Sequence, residues 1–485
     1  MDKPNVIVIM ADQLKATALK AYGNEFCDTP SLESFAQNGV VFRNAYTPHP
    51  LCVPARISLW TSQYSHTHGA RNNETLMPRD AIHAFKLWKQ EGFRTGLIGK
   101  NHCFEHETDL SLFDVWCEIN HSGLPKGYQT KGMDWVRPID SIEKAHHTRR
   151  NMPQLSSRLH CATTEYPLDD YSTRLIASQT IEFLEENKKN PFALWVSFPD
   201  PHPPYEVPKK YIDMFPPEKI KLPRWDEAEF EKAPERNRVL HEILGIEKEK
   251  AEDIYEVIGT YYAMVRFIDD EIGRILNSIE DLGLKERTIV VFCSDHGDFI
   301  GEHMMINKGG LFYDCLTRIP LLVSWPGHIK GGQVDDSMVS LIDVVPTLFR
   351  LQEIQIPWGM QGVPLPTITD TKPAAAAFSE YGSGGPPFKL SDLERLPKPY
   401  GRHTLLETLK WREAEGRRKM VRTHKWKYVY DPMGDKDELY NLESDPWELK
   451  NVIDNKENRE IVAEMRLMLL EWSIKTEDTH PVPFV

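Results

Sequence analysis

The sequence predicts an α/β protein, with a large, mostly parallel mixed sheet between layers of helices and a small α+β unit after it. Short apolar runs such as Val6–Met10 and Phe192–Phe198 are typical of strands buried on both faces of a parallel sheet. Segments with helical periodicity alternate with these runs through the first three quarters of the chain. Around residues 364–387 the composition changes to Pro, Ala, Gly and Ser, and the pattern changes to short strands with tight turns.

The strands predicted for the large sheet are short runs rich in β-branched and other apolar residues. They are Val6–Met10, Val40–Arg43, Thr95–Ile98, Phe192–Phe198, Thr288–Phe292 and Pro320–Ser324. The helices predicted between them include Pro30–Asn38, Ser172–Glu186 and Ala251–Ile279. Thr29 is the expected N-cap of the first helix, with Pro30 at its first position. The last helix repeats apolar residues at a spacing of three and four, which predicts one buried face.

A small antiparallel sheet with one helix is predicted for the C-terminal part. Its elements are Lys419–Thr423, Lys425–Tyr430, Leu439–Leu442 and a helix over Asn458–Lys475. We therefore divide the chain into a large domain, residues 1–370, and a small domain, residues 371–485. The polar stretch 120–167 is expected to be a long insertion near the functional site. Five of its residues could line a pocket mouth or lie in a solvated loop: Trp135, His146, His147, Arg149 and Arg150.

Composition and charge exclude several classes of protein. The formal net charge of −14 argues against a nucleic-acid or anionic-membrane binder. No run of 18 apolar residues that could form a membrane-spanning helix occurs in the sequence. The seven cysteines form no CxxC pair, and the N-terminal segment lacks a signal-peptide layout. These features predict a cytoplasmic protein from a reducing compartment.

The segment from Cys52 to Arg56, Cys-Val-Pro-Ala-Arg, opens an apolar helical run. This spacing places Cys52 at a helix N-terminus, where free N–H groups and the helix dipole favour an anion. Arg56, one turn further on, can offer a forked donor to the same anion. By itself, a cysteine before proline and arginine is a buried loop cysteine more often than a catalyst.

Cys-x-Pro-x-Arg followed by a helical run resembles the signature of the type I sulfatases, in the alkaline-phosphatase-like superfamily. The resemblance implies that Cys52 is oxidised to formylglycine by a formylglycine-generating enzyme or maturase. The hydrated aldehyde would then be the nucleophile. It also implies an alkaline-phosphatase-like sheet and a catalytic role for the large domain.

Two further segments resemble the metal-binding segments of this family. Asp12 and Gln13 follow the first predicted strand, and Asp295 and His296 follow the strand that ends near Phe292. Oxygen ligands at the carboxyl ends of strands are where an α/β site places a metal. The resemblance implies one divalent ion held by these four residues and residue 52. Three oxygen ligands favour Ca²⁺, and the imidazole makes Mn²⁺ the alternative.

The remaining catalytic residues come from three short segments. Gly99-Lys100-Asn101-His102 is similar to the family's Gly-Lys-x-His, and His202 lies in a Pro-His-x-Pro-like segment. Lys308 lies in a stretch like the one that carries a sulfate-binding lysine. Taken singly, each could be a surface lysine or a loop histidine. The resemblance implies that Arg56 and Lys100 hold the nucleophile, that His102 removes its proton, and that His202 and Lys308 bind the sulfate and assist the leaving oxygen.

The predicted activity is hydrolysis of sulfate esters of small carbohydrates, alkyl or aryl alcohols through a covalent sulfo-enzyme. Gln13 with His296 also resembles choline-sulfatase and phosphonate monoester hydrolase relatives, so a phosphonate monoester or phosphodiester hydrolase is the alternative. A more remote alternative is an inactive homologue that only binds anions. The expected partners are the ester and the maturase, without nucleic acid or membrane; the sequence is also compatible with a homo-oligomer.

Overall fold

A nine-stranded sheet forms the centre of this computed structural model. The structure describes residues 3–121, 123–125, 130–152, 154, 159–226, 228–246, 251–433 and 435–477. The nine strands, in chain order, are β1 (Asn5–Ala11), β2 (Val40–Tyr46), β3 (Arg94–Gly99), β4 (Val115–Glu118), β6 (Phe192–Phe198), β8 (Thr288–Ser294), β9 (Arg318–Ile319), β10 (Leu321–Ser324) and β11 (Gln333–Ser340). All six predicted strands are present, most of them a few residues longer than expected.

The sheet is mostly parallel, which confirms the predicted fold class. Its spatial order is β11-β2-β10-β8-β1-β6-β3-β4, and β9 pairs with β2 beside this path. Strand β1 has parallel neighbours on both sides, with Ala11 opposite Phe198 of β6 and Ser294 of β8. Only β9 and β10 pair in antiparallel fashion within this sheet. The residues that follow β1, β6 and β8 therefore leave the sheet at the same edge.

A second, four-stranded antiparallel sheet confirms the prediction for the C-terminal part. Its strands are β12 (Ala377–Tyr381), β13 (Arg418–Arg422), β14 (Trp426–Tyr430) and β15 (Glu438–Asn441), in that order. A parallel pair, β5 (Cys161–Thr164) and β7 (Tyr205–Pro208), lies apart from both sheets. The domain division at residue 370 stays a prediction.

The helices cover both faces of the large sheet and one side of the small one. In chain order they are α1 (Pro30–Gln37), α2 (Cys52–Thr61), α3 (Ser65–His68), α4 (Ala84–Gln90), α5 (His106–Asp109), α6 (Ile139–Arg150), α7 (Ser172–Asn187), α8 (Lys209–Ile212), α9 (Glu229–Lys232), α10 (Glu235–Leu244), α11 (Ala251–Asp281), α12 (Asp314–Thr317), α13 (Val344–Leu351), α14 (Pro366–Thr369), α15 (Leu390–Leu393), α16 (Arg402–Glu407), α17 (Leu409–Ala414) and α18 (Arg459–Glu477). None of these described helices is long and apolar enough to cross a membrane.

Alternate side chains of β1 point into two different hydrophobic cores. Ile7 and Ile9 pack with α1, α7 and α11 on one face. Val6 and Val8 pack with α2, α4 and α13 on the other face. The apolar residues at helical spacing in α11 are all buried, as predicted: Ile254, Val257, Ile258, Tyr261, Met264, Val265 and Ile268. A strand buried on both faces explains why its sequence is continuously apolar.

The N-terminus of α1 differs from its predicted capping. The helix begins at Pro30 as expected, but the Thr29 side chain makes no capping hydrogen bond. Instead, the carboxylate of Asp269 on α11 accepts the N–H groups of Ser31 and Leu32 at 3.0 and 2.8 Å. A tertiary contact thus supplies the acceptor that a local N-cap would otherwise provide.

The predicted insertion 120–167 contains regular structure where it is described. Helix α6 and strand β5 lie within it, whereas residues 122, 126–129, 153 and 155–158 lie outside the described residues. Arg149 is buried and forms an ion pair with Glu206. The interpretation as a solvated loop is therefore wrong for His146 and Arg149, whose side chains contact the start of α7 and β7, whereas His147 and Arg150 of α6 are exposed.

A buried histidine should make stability depend on pH. His83 is fully buried, neither ring nitrogen has a hydrogen-bond partner in the described part of the chain, and burial lowers its pKa to about 3. As the pH falls below about 6.5, His83 takes up a proton in the unfolded state but stays neutral in the folded state. The contribution of the buried, neutral His83 to the free energy of unfolding is therefore fully present above that pH and is lost as the pH falls below it. At pH 5.5 the loss is about 1.4 kcal/mol.

We expect His83→Leu to reduce the fall in unfolding free energy between pH 7.5 and 5.5 by about 1.4 kcal/mol. Urea titrations at the two pH values measure this difference. The exposed His328 supplies the matched control, since His328→Leu should leave the pH dependence as in the parent protein. An unchanged pH dependence in His83→Leu would contradict the assignment.

Candidate active site

The predicted nucleophile and metal ligands meet at the carboxyl edge of the large sheet. Cys52 is the first residue of α2, and its Sγ lies 3.7 Å from Asp12 Oδ1 and 3.2 Å from His296 Nε2. Lys308 Nζ lies 2.7 Å from the same sulfur. Cys52, Asp12, Asp295 and His296 are each at most 1% exposed. The fold therefore gathers charged and polar groups that lie far apart in the sequence into one buried cluster.

Arg56 joins the two acidic strand ends. Its Nη2 donates to Asp12 at 2.7 Å and its Nε donates to Asp295 at 2.9 Å. Its Nη1 donates to the Lys100 carbonyl at 3.1 Å and to Ser197 Oγ at 2.9 Å. Because both carboxylates are buried, the guanidinium offsets a repulsion that would otherwise be severe. The side chain predicted to hold the nucleophile thus holds the carboxylates in this structure.

Four of the five predicted metal ligands present donor atoms that fit a divalent cation. One donor atom each from Asp12, Cys52, Asp295 and His296 lies within 4.8 Å of the others. His296 Nδ1 donates to the Gly297 carbonyl at 2.9 Å, so Nε2 is the ring nitrogen that contacts the cluster.

Gln13 adjoins these ligands, since its backbone N–H donates to Asp295 Oδ1 at 3.0 Å. Its Nε2 donates to Asp298 at 2.5 Å and to Asn307 Oδ1 at 3.2 Å, while its buried Oε1 has no hydrogen-bond partner in the described residues. A buried carbonyl oxygen without a donor needs compensation, which a cation would supply. The donor set therefore fits a hard divalent ion.

The field at Cys52 is strongly positive. Burial alone raises the pKa of a thiol, but the neighbouring Lys308 and Lys100, together with His296, hold the pKa of Cys52 well below its usual value. Lys100 forms an ion pair with Asp12, and this pairing helps to lower the pKa of Asp12 despite its burial. An anion bound at residue 52 would experience the same positive field.

Lys100 depends on a glycine at the end of β3. Gly99 has φ +104°, and a Cβ there would lie 2.1 Å from the Ser197 carbonyl oxygen. A side chain at this position is therefore excluded, since both the conformation and the close approach require glycine. The turn directs Lys100 into the site, where its N–H also donates to that carbonyl at 2.7 Å.

Histidines form the other wall of the site. His202 Nδ1 donates to the Pro203 carbonyl at 2.5 Å, so its Nε2 is an acceptor. Burial, together with Lys308 and Lys100, lowers the pKa of His202 to about 4. His121, which the sequence analysis did not single out, lies with its ring 4.3 Å from that of His202 and its Nε2 3.2 Å from Lys100 Nζ. Burial also lowers the pKa of His102.

A cavity of about 180 Å³ opens above Cys52. It is lined by the predicted residues Cys52, His102, His202 and Lys308. Side chains from the C-terminal part complete it, among them Tyr381, Arg402, Leu405, Leu409 and Glu413. Pocket-mouth candidates from the insertion, such as Arg149, do not line this cavity.

Asn73 connects the C-terminal part to the start of α2. Its Oδ1 accepts the Val53 N–H at 3.1 Å, and its own N–H and Nδ2 donate to Glu413 at 3.0 and 2.9 Å. No local motif marks His121, Tyr381 or Glu413 in the sequence. Only the tertiary fold identifies them, because they come from a polar stretch or from a part of the chain that looked purely structural.

Buried carboxylates, an imidazole and a thiol with a lowered pKa thus lie together at the edge of an α/β sheet, as a donor set that fits a divalent cation. The family model described as "Sulfatase" matches residues 4–354. The chain therefore belongs to the sulfatase family, and it is a sulfuric ester hydrolase.

Relatives with this architecture align along nearly the whole chain. An arylsulfatase from Clostridium perfringens is 27% identical over 97% of this chain and 94% of its own length. A choline-sulfatase from Rhizobium meliloti is 26% identical, covering 93% of this chain and 83% of its own. The crystal structure of a phosphonate monoester hydrolase of Agrobacterium radiobacter superposes with a TM-score of 0.78 at 24% identity, over 98% and 96% of the two chains.

Metal binding is directly measurable. We expect about one Ca²⁺ or Mn²⁺ per chain after equilibrium dialysis, and we expect Asp295→Asn to weaken that binding by about 100-fold or more, because it removes a charged ligand. Elemental analysis by mass spectrometry gives the stoichiometry without reference to activity.

Asp336→Asn is the matched control, since the Asp336 side chain is 64% exposed. It should bind the ion as the parent protein does. Equal metal content in the parent protein and in Asp295→Asn would contradict the proposed ligand set.

Proposed function

We propose that this sulfatase hydrolyses sulfate esters of small carbohydrates, alkyl or aryl alcohols with residue 52, as formylglycine, supplying the nucleophile. The observation that carries the proposal is the position of Cys52 Sγ, 2.7 Å from Lys308 Nζ and 3.2 Å from His296 Nε2. A sulfate bound here would meet cations on one side and the proposed metal ligands on the other. Such preorganised charge stabilises the developing negative charge of the transition state.

One divalent ion, Ca²⁺ with Mn²⁺ as the alternative, would be held by Asp12, Gln13, Asp295 and His296 together with residue 52. When bound, it would neutralise sulfate oxygens and lower the pKa of a hydroxyl group at residue 52. The oxygen-rich ligand set favours Ca²⁺, and the imidazole nitrogen favours Mn²⁺.

Oxidation of Cys52 needs a formylglycine-generating enzyme or maturase. The Cys52 side chain is buried, with the residue only 1% exposed. A modifying enzyme could not reach it in the folded protein, so we infer that oxidation precedes folding. The reducing compartment predicted from the cysteine usage would keep the thiol available for this reaction; the cytoplasmic location itself stays a prediction.

The side chains around the cavity have different roles in the proposed proton transfers. Lys308 stays charged next to the sulfur, since nearby anionic groups raise its pKa in spite of burial. We therefore assign it to bind the sulfate and to donate to the leaving oxygen. His202, with a pKa of about 4, is neutral at pH 7 in the free protein, and its Nε2 would accept a hydrogen bond from a hydroxyl group of the alcohol part of the ester.

His102 and Lys100 complete the proposed cycle. The hydroxyl of residue 52 loses its proton to solvent and attacks as the oxyanion, which forms an O–S bond. The bond from sulfur to the alcohol oxygen breaks, that oxygen takes a proton from Lys308, and a sulfate ester remains on residue 52. His102, a neutral base in this environment, then removes the proton of the second hydroxyl, so that sulfate departs and the aldehyde returns. Lys100, paired with Asp12, keeps the carboxylate ionised during these steps.

The alternative substrate class is phosphonate monoesters or phosphodiesters. Gln13 in place of a second acidic residue, together with His296, favours it, as does the likeness to a phosphonate monoester hydrolase. These esters carry a single negative charge, as a sulfate ester does, so the same cations would bind them.

Mass spectrometry of the tryptic peptide Asn44–Arg56 tests the nucleophile. Protein produced together with a maturase should show a loss of about 18 Da at Cys52, the change expected when a thiol becomes an aldehyde. We expect Cys52→Ala to lower kcat for a sulfate ester by about 10⁴-fold or more, because covalent catalysis is lost.

Cys315→Ala is the control, since this cysteine is buried away from the cavity and should leave the rate nearly unchanged. A Cys52→Ala protein with full activity would exclude the assignment. An unmodified Cys52 that binds sulfate without turnover would instead support the inactive homologue.

Substrate preference is measured as the ratio of kcat/KM for an aryl sulfate to that for a phosphodiester with the same leaving group. We expect a ratio above about 10, because discrimination by differential contacts is commonly of this order or greater. A ratio below 1 would transfer the assignment to the phosphodiester class while leaving the nucleophile and the metal ligands unaffected.

A further inference from the structure

A second and larger cavity lies in the C-terminal part, outside the catalytic site. Its volume is about 720 Å³, within the range of about 300–1,000 Å³ typical of small-molecule sites. It lies between the small sheet, helix α18 and the segment after α3. Among its lining residues it shares only Tyr381 with the cavity above Cys52. The proposed hydrolysis gives this second cavity no role.

The cavity is cationic although the chain is acidic. Five of its lining side chains are arginine or lysine and two are glutamate: Arg71, Arg417, Arg418, Lys419 and Arg466 against Glu380 and Glu477. The chain as a whole carries a formal net charge of −14. A positive site on an acidic protein selects an anionic ligand by its charge.

Three of these cations are already paired. Arg418 lies 3.2 Å from Glu415, Lys419 lies 3.1 Å from Glu380, and Arg466 lies 2.8 Å from Asp437. In contrast, Arg71 and Arg417 form no ion pair with any carboxylate in the described residues. Arg71 donates only a long hydrogen bond of 3.4 Å, to the Gly382 carbonyl.

Arg71 and Arg417 also repel each other. Burial lowers the pKa of Arg71; Glu380 opposes this effect, and the charge of Arg417 adds to it. A guanidinium group offers a planar fork of donors that matches a carboxylate or a sulfate. An anion between the two arginines would accept hydrogen bonds from both guanidinium groups and reduce the repulsion between their charges.

Other residues that line this cavity have a different chemistry. Tyr430 of β14 and Leu470 of α18 are 39% and 56% exposed and supply apolar surface. Ser473 and Glu477 of α18 also line the cavity and can accept hydrogen bonds from hydroxyl groups. A ligand that fits this lining carries an anionic group, an apolar ring face and several hydroxyls.

We propose that this cavity binds an anionic saccharide, with its sulfate or carboxylate group between Arg71 and Arg417 and a sugar ring against Tyr430. The site is separate from the catalytic cavity and does not depend on residue 52. It would hold a sulfated or carboxylated sugar unit beside the active site without taking part in the chemistry.

Calorimetric titration of the Cys52→Ala protein with a chondroitin sulfate disaccharide tests this proposal, since the probe carries both a sulfate and a carboxylate and is not turned over. We expect Arg71→Ala and Arg417→Ala, each added to Cys52→Ala, to weaken binding by about 10-fold or more, because each removes a charge-assisted hydrogen bond. The dependence of the binding constant on salt concentration should be weaker in each of these two variants.

Two further variants make the result specific. Arg395→Ala removes the same charge from the C-terminal part at a side chain that is 77% exposed, and it should bind like the Cys52→Ala parent. Lys308→Ala removes a cation from the catalytic cavity and should leave this binding unchanged. Thermal unfolding of each variant shows whether it is folded.

If Arg71→Ala and Arg417→Ala both fold and bind the disaccharide as tightly as their parent, the proposal is overturned. It is also overturned if binding is lost only in Lys308→Ala. Inorganic sulfate that binds as tightly as the disaccharide would overturn the saccharide assignment, because it would show that the anion alone is recognised. None of these outcomes depends on catalytic turnover, so failure here is distinguishable from failure of the proposed hydrolysis.

Discussion

The buried ion pairs of Arg56 are the interactions on which the rest of the site depends. One guanidinium, fully buried, pairs with Asp12 after β1 and with Asp295 after β8. Without it, two carboxylates would face each other in a medium that screens charge poorly. Removing one partner of such a buried pair typically costs about 3–5 kcal/mol. The spacing of the carboxylates, and with it the geometry around residue 52, follows from this cation.

The residues behind the ligand set hold it in one orientation. The Asp298 carboxylate accepts Gln13 Nε2 at 2.5 Å, the Tyr205 hydroxyl at 2.9 Å and the Ile300 N–H at 2.9 Å. These contacts fix the Gln13 amide nitrogen, while the amide oxygen has no hydrogen-bond partner in the described residues. His296 is fixed in the same manner by the Gly297 carbonyl. Such supporting contacts are what make a metal or anion site rigid.

The C-terminal part contributes residues to the candidate site. Lys427 of β14 is fully buried and donates to the Phe312 carbonyl at 2.7 Å and to Asp314 at 2.6 Å, which fixes the small sheet against the loop that follows Lys308. Tyr381 then lies between the two cavities, and Glu413 reaches Asn73 beside the nucleophile. Side chains of the C-terminal part therefore line the cavity above Cys52.

The sequence by itself determined the strands, because burial on both faces leaves a continuous apolar run. It also singled out Cys52, Arg56 and Lys100 as candidate site residues, because they lie in short local motifs; their catalytic roles stay a prediction. It could not place His121, Tyr381 or Glu413, which contribute through contacts between distant segments. Nor could it show that Asp269 replaces Thr29 as the cap of α1. Those features were decided by tertiary structure alone, because contacts between residues far apart in the sequence leave no local pattern from which they could be predicted.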